Sequence, residues 1–215
     1  MRRVVTMSTT HPEFFHISVG SMDNNCWLIC MGGDALLIDA ATDAPALLEL
    51  AREHDVTITD VLTTHRHADH VQALAEVLQH TDARHHAPRL DAPALPSPAD
   101  RTYGTDSGET QPLDLASSAL NTLDLQVVEL RGHTPGGLAV LHLDKQQPQA
   151  WVGDSVFPGG VGKTTSDKDF TQLLSDVEER IFTLPDNTLL HPGHGNSTTV
   201  GAEKPHVDEW RERGW

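Results

Sequence analysis

Cysteine, tyrosine, positive charge and long apolar runs are scarce in this 215-residue chain. Each shortage removes a class of answer. The two cysteines, Cys26 and Cys30, fall in a segment, 25–31, that reads as a strand. Same-face neighbours of one strand are poorly placed for a disulfide, so buried thiols are expected. Lysine and arginine total 15 against 31 acids, a formal net charge of −16. Nucleic-acid binding needs a basic footprint on phosphates, so that partner is excluded. No run could span a bilayer, and the first ten residues carry basic side chains without the apolar segment of a secretory signal. Cytoplasmic residence with no membrane partner is therefore expected. The length suits one well-buried domain over 1–215, with 1–12 expected to be flexible, and no internal repeat is visible.

What is present is histidine, concentrated in Thr63-Thr64-His65-Arg66-His67-Ala68-Asp69-His70. The run before it, 58–63, is short, apolar and β-branched, whereas 71–78 has helical composition and spacing, so the motif sits where a strand hands over to a helix. His65 and His67, two apart in an extended segment, can point the same way and share one cation through neutral ring nitrogens. Asp69 and His70 follow the turn and could serve a second cation beside the first. Asp69 with Gln72 also matches a capping box, in which the carboxylate would satisfy a helix N–H.

Three further motifs follow in order: Gly132-His133-Thr134-Pro135-Gly136-Gly137, Gly153-Asp154-Ser155-Val156-Phe157 and Pro192-Gly193-His194-Gly195. Together with the first they span most of the chain, and the set resembles the signature of the metallo-β-lactamase superfamily. The resemblance implies that His65, His67 and His133 hold one metal, that Asp69, His70 and His194 hold the other, and that Asp154 bridges them. It also implies an αββα sandwich of two mixed β-sheets flanked by helices, an α/β fold.

The order of elements agrees. Strands are expected over 14–19, 25–31 and 34–40, the last two joined by Gly32-Gly33, then a helix over 45–54 and the strand into His65. Asp39 ends a strand either as a turn former or as support for a ligand. A strand over 83–87 carries His85-His86, but adjacent strand residues face opposite ways, so this pair is declined as ligand material. The Pro- and Gly-containing stretch 88–112 reads as a long connection with one helical turn, able to roof a cleft. Tyr103, the only tyrosine, either packs there or orients a substrate. Strands over 123–130 and 138–143 flank the His133 loop, and another covers 149–153. An amphipathic helix over 167–184 precedes a strand at 187–191, and a short helix around 207–211 has Trp210 and Trp215 covering its apolar side.

Two divalent ions about 4 Å apart would bind a bridging water and lower its pKa to roughly 7, making hydroxide available as the nucleophile. One ion would polarise the scissile carbonyl. Histidine at position 67, where the oxygen-reducing diiron branch carries a carboxylate, favours zinc, with iron or manganese as alternatives. Within the superfamily, Gly153 to Lys163 resembles the bridging-aspartate motif of glyoxalase II, the hydroxyacylglutathione hydrolases, followed by that family's thiol-binding basic residue. Catalytic Asp69 and Asp154, and Lys163 pairing with a substrate carboxylate, are what this resemblance implies; a solvated loop lysine is the alternative. Thr165 stands where that family has a tyrosine, and its helical C-terminal glutathione-binding region has no counterpart after His194. A small-molecule thioester is the expected substrate. A mononuclear iron persulfide dioxygenase, a lactone or β-lactam hydrolase and an inert metal scaffold are the competing readings.

Overall fold

The computed structural model describes residues 11–214. The expected flexibility of 1–12 falls largely outside the described residues, as does the expected role of Trp215. The chain opens with β1 (Glu13–Val19), β2 (Asn24–Met31) and β3 (Asp34–Ile38), then α1 (Ala44–Glu53) and β4 (Thr57–Leu62). After α2 (Leu74–Thr81) come β5 (Arg84–Pro88) and β6 (Arg101–Tyr103), which complete a first sheet in the order β1-β2-β3-β4-β5-β6. Its first three strands are antiparallel and β3 to β6 run parallel. β7 (Gln111–Pro112), α3 (Ser118–Asn121), β8 (Gln126–Glu129), β9 (Leu138–His142) and β10 (Gln149–Gly153) begin the second half. A hairpin of β11 (Val156–Phe157) and β12 (Gly160–Val161), then α4 (Asp167–Arg180), β13 (Leu189–Pro192), β14 (Thr198–Thr199), α5 (Val200–Glu203) and α6 (Val207–Arg213) follow. The second sheet runs β14-β13-β10-β9-β8-β7, antiparallel except for the parallel β10–β13 pair.

Strand alternation explains the layering. Ile29, Leu36, Ile38 and Leu62 of the first sheet meet Leu138, Val140 and Trp151 of the second in one inner core. Their neighbours Leu28, Cys30, Ala35 and Leu37 face the other way, onto Leu47 of α1 and Leu74 and Val77 of α2. In the second sheet Ala139, Leu141, Ala150 and Val152 turn outward onto Phe170, Leu173, Leu174 and Val177 of α4. Two mixed sheets between helices is thus the architecture, as the motif order implies. Cys26 and Cys30 are free and buried, and burial pushes both thiols up to about 12.

Several local expectations change. The helix expected from residue 71 starts at Leu74, after a single 3-10 turn at Ala68–His70. Asp69 is therefore no helix cap: no side chain caps that turn or α2, and Asp69 instead accepts from Asn24. The 88–112 stretch contains β6, β7 and a 3-10 turn at Ala92–Ala94. Tyr103 in β6 is buried, its hydroxyl accepting from the Asp114 amide at 3.2 Å and lying 3.3 Å from His86 Nδ1. It packs the core. The four-residue α3, capped by the Ser117 hydroxyl, falls in a stretch to which the sequence assigned no element, and β8 is shorter than expected.

Candidate metal centre

Four strand ends converge at one rim of the sandwich. β4 feeds the histidine-rich motif, the β8–β9 connection carries His133, Asp154 directly follows β10 and His194 lies two residues past β13. Two glycines permit this closeness. Gly153 has φ +50° and a Cβ there would come within 2.9 Å of the Thr64 side chain. At Gly193 a Cβ would run into Asp154 Oδ1 and His70 Cε1. Backbone bonds lock the rim: the Gly193 amide donates to the Gly153 carbonyl at 2.8 Å, and the Leu138 amide to the Thr64 carbonyl at 2.8 Å.

The seven residues singled out as ligands come together in three overlapping groups. These are His65, His67 and His133; His65, His70 and Asp154; and Asp69, His70 and His194, with the candidate ligand atoms of each group within 4.8 Å of one another. His65 Nε2 lies 3.1 Å from His67 Nδ1, so the two rings do meet as their spacing predicts. Asp154 sits among four imidazoles. Its Oδ2 is 3.5 Å from His133 Nε2, 3.4 Å from His194 Nε2 and 4.0 Å from His65 Nε2, and its Oδ1 is 3.4 Å from His70 Nε2.

The outward bonds of the rings show what the inward atoms are for. His133 Nδ1 donates to the Lys163 carbonyl at 2.6 Å and His194 Nδ1 to the Met22 carbonyl at 2.8 Å. His70 Nδ1 donates to Asp39 Oδ2 at 2.8 Å. Thr64 Oγ1 also donates to Asp39 Oδ2, at 2.7 Å, so its lone pairs remain to accept from His65 Nδ1 at 3.0 Å. With each Nδ1–H spent outward, a ring in its neutral form presents its Nε2 lone pair inward, the arrangement that backs metal-bound histidines. His70 and His194 Nε2 face each other at 3.1 Å, and His133 Nε2 and Asp154 Oδ1 are buried without hydrogen-bond partners. Convergent lone pairs and orphaned donor atoms fit a divalent cation.

The local charges fit as well. Burial opposes charging His70, but bonds from the Asp154 and Asp39 carboxylates outweigh it and raise its pKa to about 10, so the field here favours a positive charge. Burial also works against ionised Asp154, yet the surrounding imidazoles, His194 and His70 foremost, hold it far below the usual carboxylate range. Burial likewise opposes the charge on Asp69, and the Asn24 amide with His70 outweighs it to lower its pKa. His65 and His67 are shifted down, chiefly by burial and then by neighbouring histidines.

Supporting residues came from elsewhere. Asp39 both turns the chain, at φ +57°, and accepts three bonds, two from Thr64 and one from His70. Asn24 donates to Asp69 Oδ2 at 2.9 Å. Buried Asp176 of α4 accepts from the Arg131 amide and guanidinium at 2.9 Å, fastening the strand that leads into the His133 loop. No local pattern marks Asn24 or Asp176; Asp39 was visible as a strand-end acid. His85 and His86 stay apart from the centre, bonded to Thr63 and Pro98 and to Asp60 respectively. Lys163 is exposed and reaches the centre through its carbonyl.

The model of the metallo-β-lactamase superfamily matches residues 19–194. The chain belongs to that superfamily. Membership and the gathered imidazoles and carboxylates together identify a divalent-metal site. The hydroxyacylglutathione hydrolase GloC of Haemophilus influenzae is 28% identical over 87% of this chain and 93% of its own. The hydroxyacylglutathione hydrolase of Pseudomonas syringae is 31% identical over 80% of this chain, which spans only 62% of that relative's length. Such relatives support a metal-dependent hydrolase. Among solved structures, TTHA1623 in a di-iron-bound form superposes with a TM-score of 0.70 at 27% identity, covering 88% of this chain and 96% of that one. No helix among the described residues is long and apolar enough to cross a membrane.

Proposed function

We propose that this superfamily member is a binuclear hydrolase of small-thiol thioesters, in the manner that the names of its hydroxyacylglutathione hydrolase relatives suggest. His65, His67 and His133 would hold one ion, Asp69, His70 and His194 the other, and Asp154 would lie between them. Zinc is the expected metal by the imidazole-rich donor set, while the di-iron form of a structural neighbour keeps iron in view. When bound, divalent ions supply Lewis acidity and activated water at neutral pH.

The observation that carries the reading is the set of outward Nδ1 bonds on His65, His70, His133 and His194, which leaves Nε2 lone pairs around Asp154. The chain's own groups then have defined tasks. Asp69, ionised and half-buried, can accept a hydrogen bond from the attacking water and orient it. Both cysteines are too buried and too weakly acidic to serve as a nucleophile. The Lys163 carbonyl fixes His133, and its exposed side chain is offered to a substrate carboxylate.

Metal content per chain by elemental mass spectrometry, joined to a thioester panel, tests this. Near two metals with thioester turnover supports it. Near one iron, with oxygen consumed on a glutathione persulfide, would replace it with a persulfide dioxygenase. Turnover of lactones or β-lactams alone would move the substrate class, and a loaded but inert protein would leave a scaffold. Lys163→Ala keeps the carbonyl, so KM for a carboxylate-bearing thioester should rise about tenfold or more with kcat nearly unchanged. An unchanged KM removes Lys163 from the site.

A further inference from the structure

A cavity of about 370 Å³ is lined by none of the seven ligand candidates. Phe157, Val161, Phe170 and Trp210 give it apolar walls, and Arg213 stands at its edge. Phe157 joins the two places: it lines the cavity, and its ring centroid lies 6.5 Å from that of His194. The β11–β12 hairpin therefore has one end in the metal centre, where Asp154 precedes it and Lys163 follows, and its tip over the cavity.

That tip is held. Buried Glu203 accepts from the Gly159 amide at 2.8 Å and from the Thr198 hydroxyl at 2.6 Å, and Arg213 Nη2 donates to the Gly159 carbonyl at 2.9 Å. Arg213 makes no ion pair among the described residues, in contrast to Arg211 on the same helix, which pairs with Glu178 and Asp208. An exposed guanidinium with donors left over, at the rim of an aromatic-walled cavity, suits an anionic end on an apolar body.

We infer that this cavity is the subsite for the substrate's acyl group, and that the acyl group is bulky and apolar with a distal carboxylate that meets Arg213. The inference rests on the thioesterase reading and deepens it. A cavity of this volume lies within the usual range for small-molecule sites and is far roomier than a short hydroxyacyl group requires.

The test compares kcat/KM for three thioesters of one thiol, bearing lactoyl, phenylacetyl and 4-carboxyphenylacetyl groups, in the metal-loaded protein. The expected order rises from lactoyl to carboxyphenylacetyl, with at least about tenfold between the ends, the scale on which apolar pockets discriminate. Arg213→Gln should remove the advantage of the carboxylate, so that in this variant carboxyphenylacetyl turnover falls to the level of phenylacetyl. Val161→Phe, which fills the cavity, should depress both aryl substrates and spare lactoyl. A lactoyl preference in the wild type, or equal losses on all three in Arg213→Gln, overturns the inference.

Calorimetric titration with 4-carboxyphenylacetate keeps this separate from the thioesterase reading. If no thioester is cleaved, that reading falls, while acid binding weakened about tenfold in Arg213→Gln still supports the cavity as an anionic acyl site. Binding unaffected by Arg213→Gln overturns it.

Discussion

The two halves of the ligand set differ in how their outward atoms are held. In the group of Asp69, His70 and His194 every member has a support bonded behind it: Asn24 on Asp69, Asp39 on His70 and the Met22 carbonyl on His194. In the group of His65, His67 and His133 the first and last are backed by Thr64 and by the Lys163 carbonyl. His67 between them is exposed, with only its Nδ1 engaged, toward His65. One half is braced at each ligand, and the other keeps a ring that can adjust. Rigid backing favours tight, early metal binding, whereas the less constrained half is where affinity should vary with conditions.

The variant that erases the distinction is Asp154→Ala, which removes the carboxylate between the halves. Activity should fall by at least about a thousandfold and metal content toward one per chain, read by steady-state kinetics and elemental analysis. Full turnover in that variant would sink the binuclear mechanism.

Asp39→Asn strikes the braced half first, because Asp39 touches His70 directly and reaches His65 only through Thr64. The amide keeps one acceptor oxygen where three donors converge on two, and with its nitrogen facing His70 Nδ1–H the ring would change tautomer and turn an Nε2–H into the centre. Chelator competition should show one site weakened by about 10–100-fold. Asp39→Ala leaves the buried Thr64 amide and His70 without partners and should cost about 1–3 kcal/mol for each group. Equal affinity at both sites in Asp39→Asn would show that backing does not distinguish them. Asn24→Ala, which removes one donor from a half-buried carboxylate that still lies beside His70 and His194, should weaken the same site by less than about tenfold; a larger loss at the other site would reverse the assignment of the halves.

One effect on stability alone lies away from the centre. His191, buried against Gln149 and Ser197, has its pKa lowered to about 4, mainly by burial and secondarily by His16. It is neutral when folded and takes up a proton more readily when unfolded. Its contribution is thus complete above about pH 6.5 and is lost as pH falls toward 4. Thermal unfolding of the wild type should lose about 1–3 kcal/mol more across that window than His191→Gln. Parallel pH curves for the two proteins would show that His191 is not the group responsible.

What the sequence made legible was the part carried by local signatures. His65, His133, Asp154 and His194 each follow a strand beside glycine or threonine, and His67, Asp69 and His70 come within five residues of His65, so spacing and motif order were enough to gather them. The same holds for the layers, since Ile29 and Leu36 against Leu28 and Leu37 is plain alternation. The bracing was not legible because it depends on pairs 25 to 172 residues apart, such as Thr64 with Asp39 and His194 with Met22. A carbonyl acceptor carries no residue identity at all, and Asn24 at the start of a strand looks like any turn residue. The 3-10 turn at Ala68–His70 was missed for a related reason. Its composition reads as helix, while its Asp69 and His70 side chains both lie close to His194 Nε2, 124 residues further along the chain from His70.

The rim also has a mechanical side. His65, His67, Asp69 and His70 belong to the first sheet, while His133, Asp154 and His194 belong to the second, so each group contains side chains from both. A bound cation would rivet the two sheets at their open edge, and prying them apart would first require breaking its coordination. Loading would then slow the loss of the inner core around Trp151 and Leu62, and shelf life, not only turnover, would follow the supply of metal.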